Sequence, residues 1–335
     1  MQEMETKENQ IIHGVIWKQL LIFFFPILLG TFFQQIYNTA DTVVVGRFVG
    51  TEALAAVGGS TSQIINLIVG FFTGLASGAT VVISQHYGAK QEDGVQKALH
   101  TAYAFSVVGG IIISIMGILI TRPLLKLMNT PDNIIDLSAT YLCIYFAGLV
   151  FVFIYNVGAG ILRAVGDSRR PLYFLILCCF INIVLDIILI VFFKMGVAGA
   201  AIATTFSQGI SAVMVTVTLC RTTDIFRLRV KKIRFHAQPM GMIVKIGLPA
   251  GLQSVMYSLS NVIIQSSLNT FGTETVAAWT AFSKIDAIYW MISGAFGIAI
   301  TTFVGQNYGA GKFRRMKKSV RVCLAMDIGA SILIS

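Results

Sequence analysis

The chain has 335 residues, of which 56% are hydrophobic and only 12% charged, against about 25% charged in an ordinary soluble domain. That composition excludes a soluble globular protein and points to a chain that crosses a lipid bilayer several times. The net charge of +10 would suit a nucleic-acid partner, but the placement of the basic residues speaks against one.

A hydrocarbon core of about 30 Å needs roughly 20 apolar residues per helical crossing. Charged and turn-rich breaks predict helices near 16–45, 53–84, 95–121, 134–162, 171–193, 196–220, 243–270 and 276–304, with a last one beginning near 317. A membrane β-barrel would show alternating segments of about 10 residues. Runs such as 111–120 and 262–268, set within longer apolar stretches, are helical in length. The expected class is an all-α integral membrane protein.

Lysine and arginine fall in every second loop: Lys90 and Lys97, then Arg163, Arg169 and Arg170, then the segments 221–245 and 312–321. The alternate loops hold only Arg47, Arg122, Lys126 and Lys194. By the positive-inside rule the amino terminus, with Lys7 and Lys18, is cytoplasmic, and the basic excess encodes topology in a cell inner membrane, with no nucleic-acid partner. No short apolar segment with a small-residue cleavage site precedes the first helix, so that helix is expected to be its own insertion signal. Cys143, Cys178, Cys179, Cys220 and Cys323 lack C-x-x-C spacing and read as packing residues.

An internal repeat is visible at a separation of about 220 residues. Pro26, Gly50-Thr51-Glu52-x-x-Ala55-Ala56 and Gln85-x-Tyr87-Gly88-Ala89 recur as Pro249, Gly272-Thr273-Glu274-x-x-Ala277-Ala278 and Gln306-x-Tyr308-Gly309-Ala310. Six helices lie between the two prolines, an even number, so the copies enter the membrane from the same side, as in two-lobed carriers with parallel repeats. The expected division is an amino-terminal lobe of six helices over 1–220, a basic cytoplasmic linker over 221–242, and the start of a carboxy-terminal lobe, about three helices, over 243–335. Six helices are expected per lobe, so the second is expected to be incomplete here.

An ionised side chain at mid-bilayer is costly and needs a partner or a function. Asp41 and Asp186 lie within long apolar stretches without a sequence-adjacent cation. Asn182 is four residues before Asp186, which sets the two on one helix face, and Thr204 adds a hydroxyl from the next helix. Two carboxylates from different helices can share a proton or enclose a small cation. The alternatives are that Asp41 pairs with Arg47 or is solvated at a helix mouth, and that Asp186 makes a polar helix contact. Gln34, Tyr37, Tyr141 and Asn156 place polar groups on helices expected to line the same cavity, although such residues also serve as interhelical hydrogen bonds. Lys284 and Asp286 interrupt an apolar helix of the second copy, two apart and therefore on different faces. Pro26 and Pro249, at equivalent depths, are candidate hinges. Gly58-Gly59, Gly74-x-x-x-Gly78 and Gly196-x-x-Gly199 read as close-packing faces.

These landmarks, with Gln34-Gln35-x-Tyr37-Asn38-x-x-Asp41, Gly160-x-Leu162-Arg163-Ala164-x-Gly166-Asp167-x-x-x-Pro171, Asn182-x-x-x-Asp186 and Gly196-Val197-x-Gly199-Ala200-Ala201-x-Ala203-Thr204, cover essentially the whole chain. They resemble the multidrug and toxic compound extrusion family, in the superfamily that also holds lipid-linked oligosaccharide flippases. The resemblance implies a monomeric cation-coupled antiporter for lipophilic, often cationic organic compounds, without a cofactor and with Na⁺ or H⁺ as the coupling ion. It implies a cation site at Asp41, Asn182, Asp186 and Thr204, with Tyr141 and Asn156 linked to it. Some branches place an acid in the seventh helix, but 249–270 holds none, which favours the amino-lobe site. A flippase would call for basic residues inside the cavity to hold pyrophosphate; Lys284 is the residue in its favour. The four histidines, His13, His86, His100 and His236, map to cytoplasmic ends, and neither H-E-x-x-H nor G-x-S-x-G occurs, so an enzyme is not expected.

Overall fold

The computed structural model describes residues 9–268 and 273–334. Among these there is no strand; the chain runs as α1 (Gln10–His13), α2 (Ile16–Phe48), α3 (Thr51–Gly58), α4 (Ser60–Gly88), α5 (Glu92–Leu127), α6 (Asp132–Ala164), α7 (Arg169–Asp186), α8 (Gly196–Arg221), α9 (Ala237–Leu268), α10 (Thr273–Gly309) and α11 (Phe313–Ile334). Eight helical stretches among the described residues are long and apolar enough to cross a membrane, counting α3 and α4 as one; α11 is not among them. Its first turns carry Arg314, Arg315, Lys317, Lys318 and Arg321.

Most helices overrun their apolar windows by a turn or so, because backbone hydrogen bonding continues past the hydrocarbon edge where polar side chains meet water. α5 starts at Glu92 with two acids in its first turn, where carboxylates suit the helix dipole. Two departures are larger. The expected helix over 53–84 is broken at Gly59, whose ψ of −125° interrupts the helix and whose N–H closes α3 onto the Ala55 carbonyl. The expected helix over 171–193 changes hydrogen-bond register after Asp186: Ile187–Phe192 is a π-helix, with the Phe193 N–H bonded to the Ile188 carbonyl at 3.0 Å.

The segment expected as a linker folds back on the bundle. Phe226 and Leu228 are buried among α4, α5, α6 and α8, and the Leu228 N–H reaches the Leu219 carbonyl at 2.8 Å. The Gln96 amide donates to the Ile225 carbonyl at 2.5 Å, and His100 Nε2 accepts from the Arg229 N–H at 3.1 Å. His236 Nδ1 lies 3.1 Å from Thr101 Oγ1, and Nε2 accepts from Arg234 Nε at 3.1 Å. Desolvation, then the charges of Arg234 and Lys97, hold this imidazole below its usual range. α9 begins at Ala237, inside the stretch expected as linker.

The two sequence repeats meet at the basic end of the bundle through glycines. A Cβ on Gly74 would stand 2.6 Å from Gly251 Cα, and one on Gly247 would stand 2.9 Å from Leu75 Cα. Side chains do not approach backbone this closely, so α4 and α9 pack main chain against main chain. At the next level the contact is reciprocal: a Cβ on Gly88 would lie 2.7 Å from the Gln306 carbonyl carbon, and one on Gly309 would lie 2.8 Å from that of Gln85. These are equivalent residues of the two copies, each glycine meeting the other copy's glutamine. Phe24 stacks on Phe296 at 4.0 Å, and Phe23 meets Phe303 edge-on at 6.1 Å, sealing α2 against α10 beside the glycines. Gln306 is fully buried and donates to the Ala164 carbonyl at 2.7 Å.

Two predictions follow from these contacts. Gly88→Val or Gly309→Val, made separately, overpacks the same contact at a cost of about 1–3 kcal/mol. Either shifts the population toward separated ends of α4 and α10, read as a longer spin-label distance between positions 92 and 314; an unchanged distance distribution in both variants refutes the close approach. For the linker, a depressed imidazole pKa means the undocked state binds more protons. Docking is therefore complete above about pH 6.5 and weakens as pH falls through the depressed value. Amide exchange over 226–236, corrected for its intrinsic rate, rises on acidification, and His236→Ala removes that pH dependence.

Candidate functional site

Three helices each bring a polar pair spaced by four residues to one locus: Tyr37 and Asp41 on α2, Asn182 and Asp186 on α7, Thr204 and Gln208 on α8. All six side chains are buried. The spacing stacks each pair along one helix face, and on α2 the buried face continues to Val45 while the residues between are half-buried or exposed. α2 packs on α7 and α7 on α8, which turns the three faces toward one another.

The pairs form two layers. In one, Gln208 Nε2 donates to Tyr37 Oη at 3.3 Å. In the other, Asn182 Nδ2 donates to Thr204 Oγ1, and Thr204 Oγ1 donates to Asp41 Oδ2, both at 3.4 Å. The carboxyl groups of Asp41 and Asp186 adjoin. Asp41 Oδ1, both oxygens of Asp186 and Asn182 Oδ1 are buried without a hydrogen-bond partner. Among the described residues no lysine or arginine pairs with either acid: the ion pairs are Lys97–Asp93, Arg122–Asp136 and Arg170–Asp167. Asp41 is 6% exposed and Asp186 fully buried. The alternatives of an Asp41–Arg47 pair and of a solvated Asp41 do not describe this arrangement.

A convergent set of unpartnered oxygens is the chemistry of a proton shared between carboxyls or of a small hard cation, which oxygen ligands hold at short range. Among the described residues no group of three or more His, Cys, Asp and Glu side chains gathers. The π-helix follows Asp186 directly; such turns interrupt the regular helical register, and they are frequent at functional sites.

Of the other expected residues, Gln34, Tyr37 and Asn156 line one cavity of about 280 Å³, together with Pro26. Asn156 sits at its far side, its amide turned back to the Val152 carbonyl at 2.8 Å. Tyr141 does not line this cavity: 15 residues of α6 separate it from Asn156, about 22 Å along a helix, and it stacks with Tyr145 at 6.3 Å, within range of the charges of the two aspartates. Pro26 and Pro249 lie inside continuous helices, α2 and α9. Asp286 accepts from the Trp290 indole N–H at 3.0 Å within its own helix, and the Lys284 side chain lies outside the described residues.

Gln208 and the inward role of Arg163 are additions of the structure. Gln208 carried a usable signal, being four residues beyond Thr204 on the same face. Arg163 was read as one more basic residue of an interior loop, yet it occupies the last turn of α6 and lines the cavity.

The MatE family model matches residues 26–188 and 249–335. The probable multidrug resistance protein YoeA of Bacillus subtilis is 31% identical over 345 residues, covering 99% of this chain and 74% of its own length. YpnP, a second probable multidrug resistance protein of Bacillus subtilis, is 31% identical over 316 residues, covering 92% of this chain and 69% of its own. Among solved structures, the outward-facing conformation of a multidrug resistance MATE transporter superposes with a TM-score of 0.88 at 26% identity, over 97% of this chain and 72% of that one.

The hydrogen-bonded layer makes a stability prediction. Thr204→Val keeps the shape of the side chain but leaves Asp41 Oδ2 and the Asn182 amide unpartnered, at about 1–3 kcal/mol. The thermal midpoint of the detergent-purified protein falls by several degrees, and Thr204→Ser restores most of it.

Proposed function

The chain belongs to the MatE family of membrane transporters, and on that premise we propose that it exports lipophilic, often cationic organic compounds in exchange for entering Na⁺ or H⁺, by alternating access. The observation that carries the reading is the Asp41–Asp186 pair, buried with unpartnered oxygens and no counter-cation. Two adjoining carboxylates in a low-dielectric interior repel, and a proton or a sodium ion between them removes that repulsion. The ion-loaded and ion-free site then favour different arrangements of the helices around it, which is what couples an ion gradient to a conformational cycle.

In this reading the two copies of the repeat are the moving bodies and the basic end faces the cytoplasm. The glycine contacts between α4 and α9, and between α4 and α10, close that end while the cavity holding Gln34, Tyr37 and Asn156 receives substrate. Pro26 sits in α2 between the closed end and Asp41, where a missing backbone hydrogen bond lets the helix bend without disturbing the acid's neighbours. The transported compound is drawn from the class named for the Bacillus relatives, multidrug resistance substrates. The ion's drive is modest: about 2.3 kcal/mol per charge per 100 mV, or roughly 50-fold in concentration. Exchange of one cation for another of equal charge is electrically neutral, so the ion's concentration gradient then supplies the work.

The test is efflux of a fluorescent lipophilic cation from proteoliposomes under an imposed Na⁺ or pH gradient. Asp41→Asn and Asp186→Asn each lower gradient-driven efflux at least about tenfold, the loss expected when a charged ligand worth about 1.5–3 kcal/mol is removed, and the productive gradient names the ion. Efflux that survives both substitutions overturns the coupling site.

A further inference from the structure

The basic residues of this chain are mostly exposed or paired, as topology signals should be. Arg170 pairs with Asp167 at 3.1 Å, and Asp167 also accepts the Arg169 and Arg170 backbone N–H groups at 3.1 Å each, so the nearest acid in sequence is already engaged. Arg163 differs. Its Nε is buried without a hydrogen-bond partner, and it takes part in none of the described ion pairs. The hydroxyl of its neighbour Tyr155 is directed elsewhere, donating to the Pro171 carbonyl at 3.2 Å.

Arg163 lines two cavities at once. One, of about 280 Å³, runs toward Tyr37 and Gln208; the other, of about 510 Å³, lies between α4, α9 and α10. Arg163 is the one charged side chain among the described residues lining either cavity. Around it the donors are unspent: neither the Thr80 hydroxyl nor the Gln253 amide has a partner among the described hydrogen bonds, and both line the larger cavity. Gly160, one turn before Arg163, keeps this approach open, since a Cβ there would stand 2.6 Å from Thr80 Oγ1.

Arginine stays charged under all physiological conditions, and a buried charge without compensation is expensive. Arg163 is half-buried with its Nε enclosed, and none of the described ion pairs compensates it, which leaves the cavities as the route by which an anion can reach it. We propose that Arg163, with Thr80 and Gln253, is a binding site for the anionic group of an amphipathic substrate: a carboxylate, sulfonate or phosphate held by the guanidinium fork, with the apolar body extending along Pro26 and Val152 toward Tyr37. This rests on the reading of these cavities as the substrate path. The anchor is separate from the acid pair of the ion site, Arg163 standing in the last turn of α6 and the two aspartates on α2 and α7.

The test uses a matched pair of dyes, rhodamine 6G, which is an ethyl ester, and its free acid, bound to the purified full chain in detergent and followed by fluorescence anisotropy. The wild type binds the acid at least about tenfold more tightly than the ester, the scale of one charge-assisted hydrogen-bonding pair. Arg163→Gln brings that ratio to within about twofold of unity, and Arg163→Lys keeps part of it because the charge survives without the fork. Should Arg163→Gln fail to give a monodisperse protein, Thr80→Val is read instead, with the ratio expected to fall about threefold through loss of one neutral donor. A wild type that binds both dyes with no preference for the acid, or a preference unchanged in the variants, overturns the anion site and leaves the transport reading standing. A wild type that binds neither dye overturns both.

Discussion

Two carboxylates face each other in the interior of an apolar bundle with no basic side chain to balance them, and much of the surrounding structure can be understood from that fact. Burying Asp41 and Asp186 is unfavourable unless their charge is quenched by something mobile. The hydroxyl of Thr204, which itself accepts from the Asn182 amide, engages only one of their four oxygens, Asp41 Oδ2. The remainder defines a locus whose energy changes when a proton or cation arrives. Tyr37 and Gln208 form a second polar layer one turn away and link that locus to the cavity.

Such a site has mechanical consequences only if the bundle has a seam along which it can separate. The seam at the basic end is made of glycines against backbone, supplemented by the Phe24–Phe296 stack. Contacts of this kind are tight without being chemically strong. They gain dispersion energy from close approach yet require few side-chain hydrogen bonds to be broken on opening. Their reciprocity, Gly88 against Gln306 and Gly309 against Gln85, follows from the internal repeat: equivalent residues on equivalent helices meet near the axis relating the two copies. The cavity beside α2 mixes polar and apolar lining, with Tyr37, Gln208 and Arg163 among its polar residues and Pro26, Val152 and Leu172 among its apolar ones.

Much of this was legible in the sequence. Composition and run length made an all-helical membrane protein the expected class, and spacing put Asn182 and Asp186 on one face, because helical periodicity is a local property. The family resemblance named Asp41 and Thr204 for the same locus, and the three helices do converge there. The break at Gly59 and the π-turn after Asp186 were not legible, because both replace one helical hydrogen-bond pattern by another without a change in hydropathy. Gln208 was overlooked although its spacing from Thr204 matched that of the other two pairs.

The sequence by itself determined which segments are apolar helices, where the basic residues recur, and that the stretch beginning at Pro249 repeats the one beginning at Pro26; these depend on neighbours a few residues apart or on direct identity. Only the tertiary structure decided which polar side chains share an interior. Tyr141 and Asn156 sit on one helix yet belong to different places, the first beside the acids and the second deep in the cavity. Arg163 and Arg170 lie seven residues apart in a basic stretch, yet one is paired at the surface and the other turned inward without a partner. The difference lies in the elements that hold them: Arg163 is in the last turn of α6, which packs on α4, and Arg170 is in the first turn of α7, a packing outcome set by side chains distant in sequence.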